Sequence, residues 1–237
     1  MGWRVLKNHD EWRPSVRENN PTRLLVRGSL KALCRPQILG AENVPTEGGF
    51  IVASNHLSFL DSVIIQALLP RTVSFFAKAE YFNQPGVKGK ISKSFFESVG
   101  SIPVERGQQA ASVNALKSLV EIIEAGRGVG IYPEGTRSRD GKLYRGRTGV
   151  GWLALSTGVP VVPVGLIGTE KLQPADAKII KPRSFTLKVG KPLQFEHLGP
   201  KHPLPVRREA TDQIMDAIAE LTGQERVEHY NSAPGVA

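Results

Sequence analysis

Short apolar runs and amphipathic stretches alternate along most of the chain. Phe50-Ile51-Val52-Ala53 is an uninterrupted apolar run of strand length, and residues 62–69 read as a helix stopped by Pro70. Further strands are expected at 37–43, 74–77, 101–104 and 129–132, from Val159 onward, and at 183–189. Glu47-Gly48-Gly49 marks a turn. Residues 110–125 place Val113, Leu116, Val120 and Ile123 at helical spacing, and Gly126 and Gly128 end the helix. Helices are also expected at 149–157, closed by Gly158, at 206–221, and over the basic segment 86–98. Asn20-Pro21 has the form of a helix start, an N-cap followed by proline at the first position. That helix carries Leu24, Leu25, Leu30, Leu33 and Cys34, with Arg23, Arg27, Lys31 and Arg35 interleaved. Pro160 and Pro163 are expected at the start of their strand or on a sheet edge, because proline cannot donate to a ladder.

Strands alternating with helices predict an α/β fold, a central mixed sheet flanked by helices. Three segments are expected: an N-terminal basic, membrane-docking segment at 1–35, the main domain at 36–222, and a flexible tail at 223–237.

Composition narrows the choice of partner. The 237 residues are 40% hydrophobic and 22% charged, as in a folded globular chain. A formal net charge of +9 favours anionic partners such as lipid headgroups or phosphorylated substrates. Aromatic content is 7% and no zinc-finger or RNP-like motif is visible, so no nucleic acid is expected. Cys34 is the single cysteine, which excludes an intramolecular disulfide and a cysteine metal cluster. It lies on an apolar helix face, where a structural role is expected. Residues 1–13 are charged, and no apolar stretch of about 18–20 residues exists. Neither a signal peptide nor a transmembrane helix is therefore expected, and the chain is expected to lie peripherally on the cytoplasmic face of the cell membrane. The contacts would be the helix after Pro21 and the segment 86–97 with Lys88, Lys90, Lys93, Ile91, Phe95 and Phe96. Trp3 and Trp12, in an exposed terminus, could add indole contacts at headgroup level.

The chemistry gathers after the strands. His56 and Asp61 fall where a strand ends and a helix begins. On one continuous helix, residues five apart point about 140° away from each other. If the histidine precedes the helix and the aspartate lies in its first turn, the two can face each other. His56 can then act as general base with Asp61 fixing its tautomer. Taken alone, the pair fits equally well a packed histidine and a first-turn aspartate favoured by the helix dipole. Three further strand ends carry Lys78, Arg106 and the run Glu134-Gly135-Thr136-Arg137. Their convergence would give one acid–base pair and several fixed cations, a cradle suited to a phosphate monoester.

In order, Asn55-His56-Leu57-Ser58-Phe59-Leu60-Asp61, Gly100-Ser101-Ile102-Pro103-Val104-Glu105-Arg106, Tyr132-Pro133-Glu134-Gly135-Thr136-Arg137-Ser138 and the proline-containing run from Val159 to Val164 resemble the four blocks of the glycerolipid acyltransferases, the lysophosphatidate and glycerol-3-phosphate acyltransferase superfamily. Tyr132 stands where that family usually has phenylalanine. The resemblance covers roughly residues 36–190 and implies transfer of a fatty acyl group from a thioester of coenzyme A or acyl carrier protein to a glycerol phosphate hydroxyl. Lysophosphatidate is the expected acceptor; glycerol-3-phosphate, or another lipid or glycolipid, is the alternative. A non-catalytic basic membrane-binding module is the rival of another class. The resemblance assigns His56 as base and Asp61 as its orienter. It assigns Lys78, Arg106, Glu134, Gly135, Thr136 and Arg137 to the acceptor. It implies no metal and no cofactor. Backbone N–H groups near Gly135 are candidates for the oxyanion.

Overall fold

A computed structural model describes residues 20–104, 109–174, 177, 179–199 and 201–232. Arg106, Trp3 and Trp12 lie outside the described residues, as does the side chain of Lys78.

Strands β1 (Gln37–Leu39), β2 (Phe50–Ser54), β3 (Val73–Lys78), β4 (Ile102–Val104), β5 (Gly128–Ile131), β7 (Val161–Ile167) and β8 (Thr186–Val189) form one sheet, in the order β1-β8-β7-β2-β5-β3-β4. The five strands from β7 to β4 run parallel, and β8 is antiparallel to β7, so the sheet is mixed as expected. Helices α1 (Pro21–Cys34), α2 (Asp61–Leu68), α3 (Gly86–Ser98), α4 (Gln109–Glu124), α5 (Gly149–Thr157) and α6 (Leu204–Thr222) cover it.

Strand β2 shows why its run is wholly apolar. Phe50 and Val52 enter a core shared with Ile64, Ile65 and Leu68 of α2, while Ile51 and Ala53 enter a second core with residues of α4, α5 and α6. A strand buried on both faces has no polar face to show. Helices α5 and α6 approach closely at Gly151, where an added Cβ would lie 2.2 Å from the Arg207 carbonyl.

Helix α1 begins as its cap predicts, with the Asn20 side chain accepting from Thr22 N–H at 2.9 Å. Arg23 departs from its expected place among the exposed charges. It is buried, and its guanidinium donates to the carbonyls of Gln66 and Leu69 at the end of α2. Cations at a helix C-terminus satisfy the last carbonyls there. Cys34 is buried in the α2-side core.

Two other expectations are corrected. Pro163 lies on an interior strand, not at its start or on an edge. Its missing N–H costs no ladder bond because the neighbouring chain bulges away there, between the pairing of Val164 with Val189 and the bridge of Val161 to Leu193. Residues 224–232, expected to be loose, are bound to the domain. Arg226–Val227 (β9) pairs in parallel with Leu143–Tyr144 (β6), and Arg145 N–H donates to the His229 carbonyl at 3.2 Å.

Candidate active site

The carboxyl ends of β2, β5, β3, β4 and β7 share one edge of the parallel sheet, the edge on which α/β folds carry their ligand sites. Asn55 ends β2. Its side-chain amide donates to the Leu166 carbonyl at 2.9 Å and accepts from Leu166 N–H at 2.8 Å, both in β7. The side chain supplies the next rung of the ladder, and the main chain is released to turn toward β5. The turn is held by Ser138 N–H, which donates to the His56 carbonyl at 2.7 Å.

Asp61 opens α2 and is fully buried. Its Oδ2 lies 2.9 Å from His56 Nδ1 and accepts from Leu57 N–H at 2.6 Å and Ser58 N–H at 2.7 Å. One carboxylate oxygen thus folds the loop back on itself and fixes the imidazole. His56 stacks on Tyr132, with ring centroids 3.8 Å apart and planes 8° from parallel. The Tyr132 hydroxyl meets Ser62 Oγ at 2.9 Å. Burial first, then the Asp61 charge, holds the Tyr132 phenol neutral well above its usual range. With Nδ1 turned to Asp61 and the His56 side chain 14% exposed, Nε2 is the nitrogen left to meet a substrate. The structure therefore brings His56 and Asp61 together, in the loop-and-first-turn arrangement expected.

The loop after β5 supplies the other half. Glu134 is fully buried; Oε1 accepts from His56 N–H at 3.3 Å and Oε2 from Tyr144 N–H at 2.9 Å. Burial pushes its carboxyl up to about 7, against the two backbone donors that lower it. Expected beside the acceptor, Glu134 instead has no exposed surface and clips the loops of β2 and β5 together. Gly135 takes a left-handed conformation, φ +78°, which a side chain would strain. Its N–H donates to the Tyr132 carbonyl at 3.0 Å, so that group is committed to the turn and is not an oxyanion donor. Thr136 and Arg137 follow on this loop, both half-buried. Lys78 ends β3, two strands from His56 across β5, and Arg106 belongs beyond β4, outside the described residues. Among the described residues, no group of three or more His, Cys, Asp or Glu is placed to hold a metal ion.

Several contributors have no signal in the sequence. Gln224 Oε1 accepts from Asn55 Nδ2 at 2.8 Å, and its own amide donates to the Gly141 carbonyl. Asn231 donates to the Arg137 carbonyl at 3.2 Å and accepts from Arg147 at 3.3 Å. Tyr230 lies under the guanidinium groups of Arg145 and Arg147. These partners stand 83 to 169 residues apart in the chain, so no local pattern announces them.

An imidazole set by a buried carboxylate beside a cation-bearing loop is the equipment of general-base group transfer. Comparison with known proteins narrows that class. Residues 35–167 match the family Acyltransferase, and the chain belongs to it. It is similar to the 1-acyl-sn-glycerol-3-phosphate acyltransferase of Bacillus subtilis, at 30% identity over 206 residues, covering 85% of this chain and 94% of the relative. It is 34% identical over 151 residues to a chloroplastic 1-acyl-sn-glycerol-3-phosphate acyltransferase of Brassica napus, covering 63% of this chain. The match spans only 42% of that plant relative's length. Among solved structures, the 1-acyl-sn-glycerophosphate acyltransferase PlsC of Thermotoga maritima superposes with a TM-score of 0.61 at 26% identity, covering 85% of this chain and 82% of PlsC.

Proposed function

We propose that the chain is a 1-acyl-sn-glycerol-3-phosphate acyltransferase, which moves a fatty acyl group from a thioester to the free hydroxyl of lysophosphatidate and yields phosphatidate. The observation that carries this reading is the contact of His56 Nδ1 with a buried Asp61 oxygen that also fixes the loop, in a chain similar to a bacterial relative of that name over 94% of the relative's length.

The acceptor hydroxyl approaches His56 Nε2. As its oxygen bonds to the thioester carbonyl carbon, its proton passes to Nε2, and the adjacent Asp61 carboxylate stabilises the imidazolium. The tetrahedral intermediate collapses with cleavage of the carbon–sulfur bond. The departing sulfur takes the proton from Nε2, leaving an ester, a thiol and the imidazole as it began. General-base assistance of this kind contributes roughly 10²–10⁴-fold. Arg137, with Lys78 and Arg106, holds the acceptor phosphate; arginine's fork suits two phosphate oxygens at once. No cofactor takes part, and the donor is a thioester of coenzyme A or acyl carrier protein.

The protein works while resting on an anionic membrane surface. Leu24, Leu25 and Leu33 of α1 and Val87 and Ile91 of α3 are exposed, and Lys31, Lys88, Lys90 and Lys93 on the same two helices are exposed as well. The helices touch, with the Asn20 amide donating to the Ser98 carbonyl at 3.0 Å. Apolar side chains ringed by lysines suit the boundary between headgroups and acyl chains. No helix among the described residues is long and apolar enough to cross a membrane.

The test is thiol release from palmitoyl-coenzyme A in the presence of lysophosphatidate, glycerol-3-phosphate or a phosphate-free lipid alcohol. Release with lysophosphatidate in at least tenfold excess over the others is expected. Equal rates with the phosphate-free alcohol would remove the phosphate cradle from the reading.

A further inference from the structure

Beside the β2 loop, on its β7 side, lies a cleft of about 510 Å³ that the roles assigned so far leave unused. Its walls include Leu57, adjacent to His56; Arg139, beyond the Glu134–Arg137 run; Gly168, Glu170 and Lys171, after β7; and Gln224. A volume in this range accommodates a small organic ligand. We propose that this cleft receives the pantetheine arm of the thioester donor, an inference that rests on the acyl-transfer reading above.

The first argument is chemical. Of the residues that line the cleft, Glu170 carries a carboxylate oxygen, Oε2, that has no hydrogen-bond partner. A carboxylate oxygen can only accept. An acceptor left without a donor is costly, so a ligand that fits here must bring N–H or O–H groups. The pantetheine arm carries two amide N–H groups and a secondary hydroxyl. Lysophosphatidate carries one glycerol hydroxyl, and the reaction places that hydroxyl at His56. Its ester and its ionised phosphate offer only further acceptors. Arg139 and Lys171 supply positive charge for the phosphodiester that ends the arm in both coenzyme A and acyl carrier protein.

The second argument is positional. The cleft borders β7, on one side of β2. The strands that carry Lys78 and lead to Arg106, β3 and β4, lie on the other side, beyond β5. A lipid acceptor and a water-soluble donor thus reach His56 from opposite flanks, and neither crosses the path of the other.

Glu170→Ala and Lys171→Glu test the assignment, with thermal melting as the check on folding; Lys171 is exposed, so its replacement leaves the core untouched. Donors are palmitoyl-coenzyme A, palmitoyl-acyl carrier protein and the palmitoyl thioester of N-acetylcysteamine, which keeps only the amide nearest the sulfur. Each variant should raise KM about tenfold for both pantetheine donors, while KM for lysophosphatidate and turnover of the truncated thioester stay within about twofold. The carrier with the higher wild-type kcat/KM identifies the source of the arm. Unmodified pantetheine should bind the wild-type protein, and bind Glu170→Ala about tenfold more weakly, by titration calorimetry. A rise in the lysophosphatidate KM with donor KM unchanged would overturn the assignment and give the cleft to the acceptor. Unchanged constants for both substrates would overturn it outright. Pantetheine binding to a wild-type protein that releases no thiol with any acceptor would overturn the acyl-transfer reading and leave the cleft assignment standing.

Discussion

At the scale of single residues, most of the site turns on three side chains with different duties. His56→Ala should abolish thiol release with little change in melting temperature, since the side chain is partly exposed and gives up one hydrogen bond. Asp61→Ala should abolish release and also destabilise the fold. It leaves the N–H groups of Leu57 and Ser58 buried without acceptors, at about 1–3 kcal/mol each. A melting temperature depressed more in Asp61→Ala than in His56→Ala is the expected result. Glu134 makes stability depend on pH. Its folded-state pKa is about 7 against an ordinary 4.5, so between those values the folded protein binds the extra proton. Its contribution is fully present below about 4.5 and is lost as pH rises through about 7. Urea unfolding from pH 4 to 8 should show this decline in the wild type and lack that component in Glu134→Gln. The dyad was legible from spacing because both members sit within one loop and one helical turn. Glu134 was legible as a functional residue but its duty was not, since only the fold shows that β5 lies beside β2 and delivers the carboxylate under the histidine's own backbone.

At the scale of elements, periodicity and capping signals located the long helices and the buried strands, because each owes its form to neighbours in sequence. The pairing of β6 with β9 escaped that reading. Each is two residues long, too short for any alternation to register, and their partnership joins positions over 80 residues apart. Their effect on the site is nonetheless direct. The chain after α6 holds the loop of residues 138–147 through Gln224, Glu225, His229 and Asn231. Truncation after Gly223 should keep the sheet and α6 intact. It should reduce acyl transfer at least tenfold and speed hydrogen exchange at the amides of Leu143 and Arg145, whose carbonyl partners it removes. Pro163 carries the complementary lesson: its place inside the sheet could be read only once the bulge beside it was known.

At the scale of the whole molecule, the charge of +9 and the exposed apolar residues of α1 and α3 make one prediction together. Binding to vesicles containing phosphatidylglycerol should exceed binding to neutral vesicles and weaken as salt rises from 0.05 to about 0.5 M, where the Debye length shrinks below ~5 Å. Leu25→Glu with Ile91→Glu should reduce it further; Arg23, buried under α2, contributes nothing to it. The strand order has a different consequence, for how the chain leaves the ribosome. In the seven-stranded sheet only β3–β4 and β7–β8 are neighbours in both sequence and space. Strand β5 wedges between β2 and β3, and β7 then closes the far side of β2. A nascent chain that has emerged only as far as α4 therefore holds its histidine loop on an apolar strand with both edges unpaired. Such intermediates fold late and aggregate readily. A fragment ending at residue 126 should be insoluble or chaperone-bound, whereas one extended through β8 and α6 should fold, so synthesis must pass α6 before the histidine loop acquires a shape.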